Sequence, residues 1–297
     1  MKKKRNGNSL ALLLAALIWG SSFVVVKDVV DIFPPNLLMA IRFLVAGVIL
    51  LFFTYNRLMP LDKKTVLGGA LMGVLYFFAY MLQTIGITDT TPGKNAFLTA
   101  AYCVMVPFIF WMVDKKRPDG YSIGAAVICI IGIGLISLDG GLSMRMGDAL
   151  SLACGIFYAL HIVAVSKLGQ KYDVLSLTTI QFAVAGVLSL VTSLLLETMP
   201  TQITTGSLLG LAHLIIMPTL VGSVLQNVGQ RNVTPAAASI LLSLESVFGV
   251  LFSVLFYHEP LNGKLIMGFV LVLFAVILSE TKFAFLKKAK VSEVEEK

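Results

Sequence analysis

Long apolar runs alternate with short polar breaks along the whole chain. Each run is close to the roughly 20 residues that an α-helix needs to cross a hydrocarbon core of ~30 Å. Proline, glycine or asparagine lies in most of the breaks, and the breaks are too short to hold an extramembrane domain. The pattern therefore predicts ten membrane-spanning helices, over residues 9–27, 36–55, 66–87, 93–113, 120–138, 148–167, 174–196, 207–229, 236–256 and 263–281.

Composition agrees with a membrane protein. Hydrophobic residues make up 57% of the 297 residues and charged residues 13%, with a mean hydropathy of +0.90, whereas soluble domains carry about 25% charged residues. The net charge of +7 would also suit a nucleic-acid-binding protein, but the basic residues lie in short loops and tails, so we predict no nucleic-acid partner. The three cysteines lie inside apolar runs without metal-ligand spacing, and we predict no disulfide, metal or cofactor.

The distribution of lysine and arginine predicts the orientation of the spans. With a cytoplasmic N-terminus, 18 of these residues fall on the cytoplasmic side and 4 on the outer side, namely Lys27, Lys94, Arg145 and Lys264. Cytoplasmic loops carry the excess of basic residues in membrane proteins. The opening MKKKR and its apolar run resemble a signal peptide, but no AxA-type cleavage site follows. We predict an uncleaved first span, cytoplasmic termini and a multi-pass protein of the cytoplasmic membrane.

One segment of the sequence occurs twice, 143 residues apart. The matching positions are Leu82, Gln83, Gly86, Thr91 and Pro92 in the first copy and Leu225, Gln226, Gly229, Thr234 and Pro235 in the second. Each copy ends one span and opens the next at Thr-Pro, which suits a helix N-terminus. Five spans separate the copies, so the two halves insert with opposite orientations. Inverted halves are typical of transporters whose substrate site lies between them near the bilayer midplane.

The predicted fold is an all-α membrane protein of two inverted five-helix repeats. We place the first repeat over residues 1–139, the second over 147–281 and a cytoplasmic tail over 282–297. A weaker match in spans two and seven agrees with this division, and it pairs Phe43, Ala46 and Gly47 with Phe182, Ala185 and Gly186.

Polar side chains inside the apolar runs are the candidates for a substrate site. Spacing of i, i+4 and i+7 places residues on one face of a helix. Three such stripes are Tyr76, Tyr80 and Gln83 in span three, Thr219, Ser223 and Gln226 in span eight, and Asn95, Thr99 and Tyr102 in span four. Because a polar group in hydrocarbon needs a partner, we expect these stripes to face a water-filled cavity between the halves. The same residue types also hold helices together, and that alternative stays open.

Two ionisable residues within spans are candidates for proton coupling. Glu245 lies near the middle of span nine, where an ionised carboxylate is energetically expensive. It either couples protons, contacts a cationic group of the substrate, or accepts structural hydrogen bonds. His161 in span six is the second candidate, with a structural hydrogen bond as its alternative. The remaining members of the predicted substrate site are Trp19, Ser22 and Tyr158.

Four segments resemble the EamA branch of the drug/metabolite transporter superfamily: LIWGSSF at Leu17–Phe23, IRFLVAG at Ile41–Gly47, TTPGKNAFLTAAYCVMVP at Thr90–Pro107, and TPAAASILLSLESVFGVLFSVLFYHEPL at Thr234–Leu261. The resemblance implies a ten-helix fold in which spans one, three, four, six, eight and nine surround a central cavity. It places Arg42 of span two outside that set, so we expect a structural or interfacial role for Arg42. The sequence departs from the family pattern at Ser246, where proline often follows the glutamate, and at Tyr257, His258 and Glu259, which replace a small-residue turn.

We predict secondary transport of a small, amino-acid-like metabolite, in the direction of export, by alternating access between the halves. No GxxxxGK[ST] segment is present, so ATP is not hydrolysed by a loop of that type in this chain. The sequence contains no HExxH or GxSxG motif that would indicate an enzyme.

Other functions remain open at this stage. The alternative within transport is efflux of cationic or hydrophobic drugs, which an ionised Glu245 facing the cavity would favour. A non-transporting sensor and a membrane-embedded lipid enzyme are alternatives of other classes. The expected partners are a small-molecule substrate and the lipid bilayer, and coupling to protons or exchange and a homodimer also remain open.

Overall fold

The computed structural model of the chain describes residues 2–58, 62–115, 117–137, 144–231, 233 and 235–281. The regular elements of this part are all helices, namely α1 (Lys2–Val30), α2 (Pro35–Leu58), α3 (Lys63–Thr88), α4 (Pro92–Ala100), α5 (Tyr102–Asp114), α6 (Gly120–Ser137), α7 (Met146–Leu168), α8 (Val174–Leu196), α9 (Thr205–Leu214), a π-helical segment (Ile215–Gly222), α10 (Ser223–Gln230), α11 (Pro235–Phe256) and α12 (Gly263–Thr281). The all-α class predicted from the sequence is confirmed for the described residues.

Seven helical segments of the described chain are long and apolar enough to cross a membrane, and three shorter apolar helices accompany them over Ile123–Ile136, Leu241–Phe256 and Gly263–Leu278. One long segment, Pro92–Val113, joins α4 to α5, and another, Thr205–Gln230, runs from α9 to α10. The predicted span boundaries agree with the helix ends to within three residues, except that α1 begins at Lys2 rather than at residue 9. The chain is a multi-pass membrane protein.

Short polar side chains cap the starts of α3, α4, α8 and α9. Thr91 caps α4, and Pro92 follows in the first turn, as the Thr-Pro pair predicts. In the second copy of the segment α11 begins at Pro235, and Thr234 lies outside the described residues. The predicted repeat boundary at residue 139 and the tail over 282–297 also lie outside them.

The long helical stretch Thr205–Gln230 contains a π-helical segment, Ile215–Gly222, which includes Pro218. Proline has no N–H to donate to the carbonyl four residues before it, which here belongs to Leu214. The π-helical pattern shifts the backbone donor to the N–H five residues later, and the hydroxyl of Thr219 donates to the same carbonyl as well (2.7 Å). The missing N–H of Pro218 is thus accommodated without an unpaired backbone acceptor, as a bilayer requires.

Pro107 lies within span four, where a proline would be expected to interrupt the helix, but the interruption lies elsewhere. The helix continues through Pro107, which lies inside α5, and the break falls six residues earlier at Ala101. There the Ala101 N–H donates to the carbonyl of Leu98 (3.3 Å), and the Val104 N–H donates to that of Ala101 (3.1 Å). These three-residue bonds replace the regular four-residue pattern and separate α4 from α5.

Helices at equivalent places in the two predicted repeats pack in antiparallel pairs. In the pair α2 and α8, Asn36 at the start of α2 donates to Glu197, which follows the end of α8 (2.7 Å). At the other end, the hydroxyls of Thr54 and Thr179 lie 2.9 Å apart. The start of one helix therefore lies at the end of the other.

Two further pairs have the same relation. At the start of α4, the Gly93 N–H donates to Glu259, just beyond the end of α11 (3.0 Å). Near the start of α5, the Cys103 thiol donates to the carbonyl of Ser239 in the first turns of α11 (2.8 Å). In α6 and α12, Gly132 lies against Val272, while Ile136 lies against Gly268. Antiparallel packing of equivalent helices is what an inverted repeat requires.

The first half of α3 packs closely against α8. Gly69 lies against the side chain of Ile180, and Gly73 lies against Val184 and the carbonyl of Gln181, so a methyl group at either glycine would overlap α8. The close approach leaves the polar face of α3 pointing toward the centre of the bundle, where Tyr76 is fully buried.

Candidate functional site

A cavity lies among α1–α5, α7, α10 and α11. Its polar lining residues are Trp19, Ser22, Arg42, Tyr80, Gln83, Thr84, Asn95, Tyr102, Tyr158, Gln226 and Glu245, and its apolar ones are Phe23, Val26, Ile87, Ile162 and Leu242. Small-molecule sites generally combine an apolar and aromatic wall with a few polar groups. The lining of this cavity therefore resembles that of a small-molecule site.

Nine residues of the predicted substrate site line this cavity: Trp19, Ser22, Tyr80, Gln83, Asn95, Tyr102, Tyr158, Gln226 and Glu245. The other four, Tyr76, Thr99, His161 and Ser223, are buried but are not among its lining residues. Arg42, which the family resemblance placed outside the cavity, also lines it, and Thr84 and the apolar lining residues were not among the predicted site residues.

Tyr76 and Ser223 join the polar stripes of spans three and eight behind the wall. Their hydroxyl oxygens lie 2.6 Å apart, and the Tyr76 hydroxyl donates to that of Tyr80 (3.2 Å). His161 packs its ring on Tyr76 with centroids 4.9 Å apart, and its Nε2 lies 3.1 Å from Oε1 of Gln181. These residues hold Tyr80 in place from behind, and His161 has the hydrogen bond that a structural histidine needs.

The amide of Gln83 is fixed by partners on both sides. Its Nε2 donates to the Thr99 hydroxyl (3.2 Å), and its Oε1 accepts from the Tyr158 hydroxyl (2.9 Å). Asn95 donates to the backbone carbonyl of Gln83 (3.2 Å) and to Ser151 (2.6 Å). The network joins α3, α4 and α7 along one wall of the cavity.

Three lining residues carry buried polar atoms without a hydrogen-bond partner in the described chain. They are Oδ1 of Asn95, the hydroxyl of Tyr102 and Oε1 of Gln226. A buried polar atom without a partner is energetically costly, and water or a ligand satisfies such atoms in most sites. These atoms are therefore available to a bound substrate or to water. Gln226 differs here from its repeat counterpart Gln83, whose amide oxygen is occupied.

Glu245 lies halfway along α11 and is 5% exposed. The Tyr102 hydroxyl lies beside its carboxylate without making a hydrogen bond of ordinary geometry. Gly20 of α1 packs against the Glu245 carbonyl, which brings α1 and α11 close together at this level. No lysine or arginine of the described chain forms an ion pair with Glu245, so its charge faces the cavity without a protein counter-charge.

Arg42 also lines the cavity, and the expectation that span two lies outside it is wrong for this residue. The side chain is 1% exposed. Its Nε donates to the Thr219 hydroxyl (3.0 Å), and its guanidinium carbon lies 5.4 Å from the centre of the Tyr80 ring. Although α2 packs mainly on α8, a long arginine side chain reaches past its neighbours to the centre.

No group of three or more His, Cys, Asp or Glu side chains in the described part of the chain is arranged to hold a metal ion. The three cysteines are buried and form no disulfide. Trp19 donates to the carbonyl of Pro218 (2.8 Å), so it ties α1 to the π-helical segment at the cavity edge.

The sequence of this chain is similar to those of known transporters. The model of the EamA-like transporter family matches residues 7–138 and again 145–281. An uncharacterized transporter of Archaeoglobus fulgidus is 32% identical over 93% of this chain and 86% of its own length. The uncharacterized transporter YvbV of Bacillus subtilis is 27% identical over 95% of this chain and 94% of its own.

Two further similarities support less, because one covers only part of the chain and the other has low sequence identity. A protein of Chlamydia muridarum named as an S-adenosylmethionine/S-adenosylhomocysteine transporter is 27% identical over 63% of this chain and 63% of its own. A solved crystal structure superposes with a TM-score of 0.70, covering 94% of this chain and 98% of that one at 16% identity, which supports the fold alone. On the two family matches and the full-length relatives, the chain belongs to the EamA-like transporter family, whose members are transporters and not enzymes.

Proposed function

We propose that the protein is a secondary transporter that moves a small, amino-acid-like metabolite across the cytoplasmic membrane by alternating access. The observation that carries this proposal is the central cavity, which residues of both sequence repeats line together. The nine lining residues of the predicted site are the proposed substrate contacts. Tyr76, Thr99, His161 and Ser223 hold those contacts in position. Export is the proposed direction.

The antiparallel pairs of equivalent helices support alternating access. In transporters built from inverted repeats, one half rocks against the other around a fixed midplane site. The proposed orientation has support from the basic residues assigned to the outer side. Lys27 donates to the carbonyl of Ile87 (2.7 Å), and Arg145 pairs with Asp89 (3.6 Å), so the ends of α1 and α3 and the start of α7 lie together.

The nature of the lining supports an amphipathic metabolite as cargo. Aromatic rings at Trp19, Tyr80, Tyr102 and Tyr158 offer apolar faces beside the open polar atoms of Asn95 and Gln226. The Chlamydia relative named for S-adenosylmethionine and S-adenosylhomocysteine makes these compounds reasonable members of a test panel. Both contain an amino-acid group.

An exchange assay in proteoliposomes tests the proposal. Purified protein is reconstituted, loaded with unlabelled compounds, and challenged with labelled amino acids, amines, sugars and S-adenosylmethionine. We expect counterflow of one chemical class, and its loss in Gln226→Ala because the open amide oxygen is removed. Gln202→Ala is the matched control, since Gln202 is exposed in a loop. If no compound of any class exchanges, and no dye is transported either, secondary transport is the wrong function.

Efflux of cationic drugs is the second candidate, and Glu245 on the cavity wall favours it. Aromatic rings beside a carboxylate are a common environment for organic cations. Arg42 in the same cavity opposes it, since a like charge raises the energy of a bound cation. Efflux of a cationic dye that stops in Glu245→Gln and speeds up in Arg42→Gln would establish this candidate over the first.

A further inference from the structure

Arg42 is a buried cation without an anion. It lies 1% exposed on the cavity wall, and its two recorded contacts are the Thr219 hydroxyl and the face of Tyr80. No carboxylate forms an ion pair with it in the described part of the chain. Buried charges in membrane proteins are paired with each other or face a water-filled pathway. The guanidinium therefore lacks the oxyanion that its forked donors fit best.

Glu245 is the acidic counterpart of Arg42: it lines the same cavity, and it has no ion-pair partner in the described part of the chain. The two groups do not form an ion pair with each other, and Tyr80 lies within electrostatic reach of both. Because Arg42 and Glu245 do not pair with each other, each side chain is available to a ligand in the cavity. A guanidinium pairs with a negative group and a carboxylate with a positive one, so a ligand with one charge of each sign pairs with both at once.

We propose that Arg42 binds the carboxylate of the cargo and that Glu245 binds its ammonium group, so that the cavity selects zwitterions. This inference rests on the proposed transport function and specifies its substrate class. The Thr219 hydroxyl occupies Nε of Arg42, which leaves its terminal nitrogens for a carboxylate. The Tyr102 hydroxyl lies next to Glu245, and its oxygen is available as an acceptor for the ammonium end.

The proposal predicts how affinity depends on each charge of the ligand. The panel is the twenty standard amino acids, each with its amide, which lacks the carboxylate charge, and its N-acetyl derivative, which lacks the ammonium charge. Binding is measured as stabilisation of the full-length protein in detergent and as competition in counterflow. We expect a free amino acid to bind roughly 10-fold or more tightly than either derivative, since each derivative leaves one buried charge unpaired.

Variants of Arg42 and Glu245 test which residue binds each end of the ligand. In Arg42→Gln the preference for the amino acid over its amide should fall to about 1, while the preference over the N-acetyl derivative persists. In Glu245→Gln the preference over the N-acetyl derivative should fall to about 1, while the preference over the amide persists. Arg42→Lys should keep part of the carboxylate preference, because it retains the charge but not the planar fork. The controls are Arg57→Gln, whose side chain is 58% exposed on the same helix, and Glu197→Gln, which caps α2 outside the cavity.

Two results would overturn the zwitterion proposal while transport stands. One is a wild-type protein that exchanges sugars, amines or dyes but no amino acid. The other is an Arg42→Gln protein in which the amino acid, amide and N-acetyl derivative weaken by the same factor, which is what a purely structural arginine gives. Absence of binding and exchange for every compound overturns the transport function together with the inference.

Discussion

If transport is coupled to protons, the most specific prediction concerns Glu245. It is the one acidic side chain among the described residues that line the cavity. If it carries the coupled proton, Glu245→Gln should abolish accumulation driven by a pH gradient and leave exchange at equal pH detectable. Both rates are measured in the same proteoliposomes. Gradient-driven accumulation that survives in this variant would assign Glu245 to substrate contact or structure.

His161 gives the opposite expectation, although the sequence makes it a candidate for the same role. Its ring is fully buried against Tyr76, its Nε2 is engaged by Gln181, and it is not among the cavity-lining residues. We therefore expect His161→Gln to retain gradient-driven accumulation while its midpoint of thermal unfolding falls. Loss of coupling with unchanged exchange in this variant would restore His161 as a proton carrier.

The sequence could reveal some lining residues and had to miss others. Gln83 and Glu245 stand out because a polar group in an apolar run is costly unless it has a partner or water. Phe23 and Leu242 carry no such signal, since an apolar residue in an apolar run fits any environment. Arg42 was noticed but assigned to the periphery, because the position of its backbone says little about where a side chain of that length ends.

At the scale of elements, one hydroxyl reinforces the π-helical segment. Thr219 donates to the Leu214 carbonyl in addition to the backbone bond of the π-helix, and it accepts from Arg42. Thr219→Val removes both bonds at nearly constant volume and should lower the free energy of unfolding by about 1–3 kcal/mol. Thermal unfolding in detergent measures the change.

Two variants control for this effect. Thr219→Ser keeps the hydroxyl and should retain most of the stability. Thr192→Val removes a hydroxyl whose recorded bond is to the Leu188 carbonyl of a regular helix. An equal loss in the two valine variants would mean that the π-helical segment does not depend on Thr219.

Helix boundaries were the most predictable feature at this scale, because both hydrophobicity and breakers mark them. The break at Ala101 was not predictable in the same way, since alanine favours helix and the proline lies six residues later within a continuous α5. The missing N–H of Pro218 explains the shift from α- to π-helix, but the additional bond from the Thr219 hydroxyl depends on packing that the sequence does not specify.

At the scale of the whole molecule, the contacts at the predicted outer end hold the two halves together. Residues 89–91 connect α3 to α4, and Lys27 donates to the carbonyls of Thr88 (3.1 Å) at the end of α3 and of Thr90 (3.0 Å) in the connection. From the second half, Asp148 accepts from the Thr90 hydroxyl. Sequence repeats predict that two halves meet, but these pairings involve residues far apart in the chain, and no local pattern specifies them.

Glu259 joins the two halves at this end through its hydrogen bonds to Thr91 and Gly93 and provides a test of their effect. Its carboxylate accepts from the Thr91 hydroxyl, the Gly93 N–H and the Ser253 hydroxyl, so it joins the start of α4 to the end of α11 while only 5% exposed. Hydrogen bonds to a charged group contribute about 1.5–3 kcal/mol each, so Glu259→Gln should shift the equilibrium toward an open outer end.

A cysteine at Thr84, on the cavity lining, reports that opening. We expect Thr84→Cys to react with a membrane-impermeant thiol reagent, added outside intact cells, roughly 10-fold faster when Glu259→Gln is present, since about 1.4 kcal/mol corresponds to that factor. The protein without the new cysteine sets the baseline, and Glu197→Gln is the control carboxylate at the same predicted side. Faster reaction only from the cytoplasmic side would reverse the predicted orientation. An unchanged rate from both sides would mean that other contacts keep this end closed, because the loss of charge at Glu259 would then have no effect on access to the cavity.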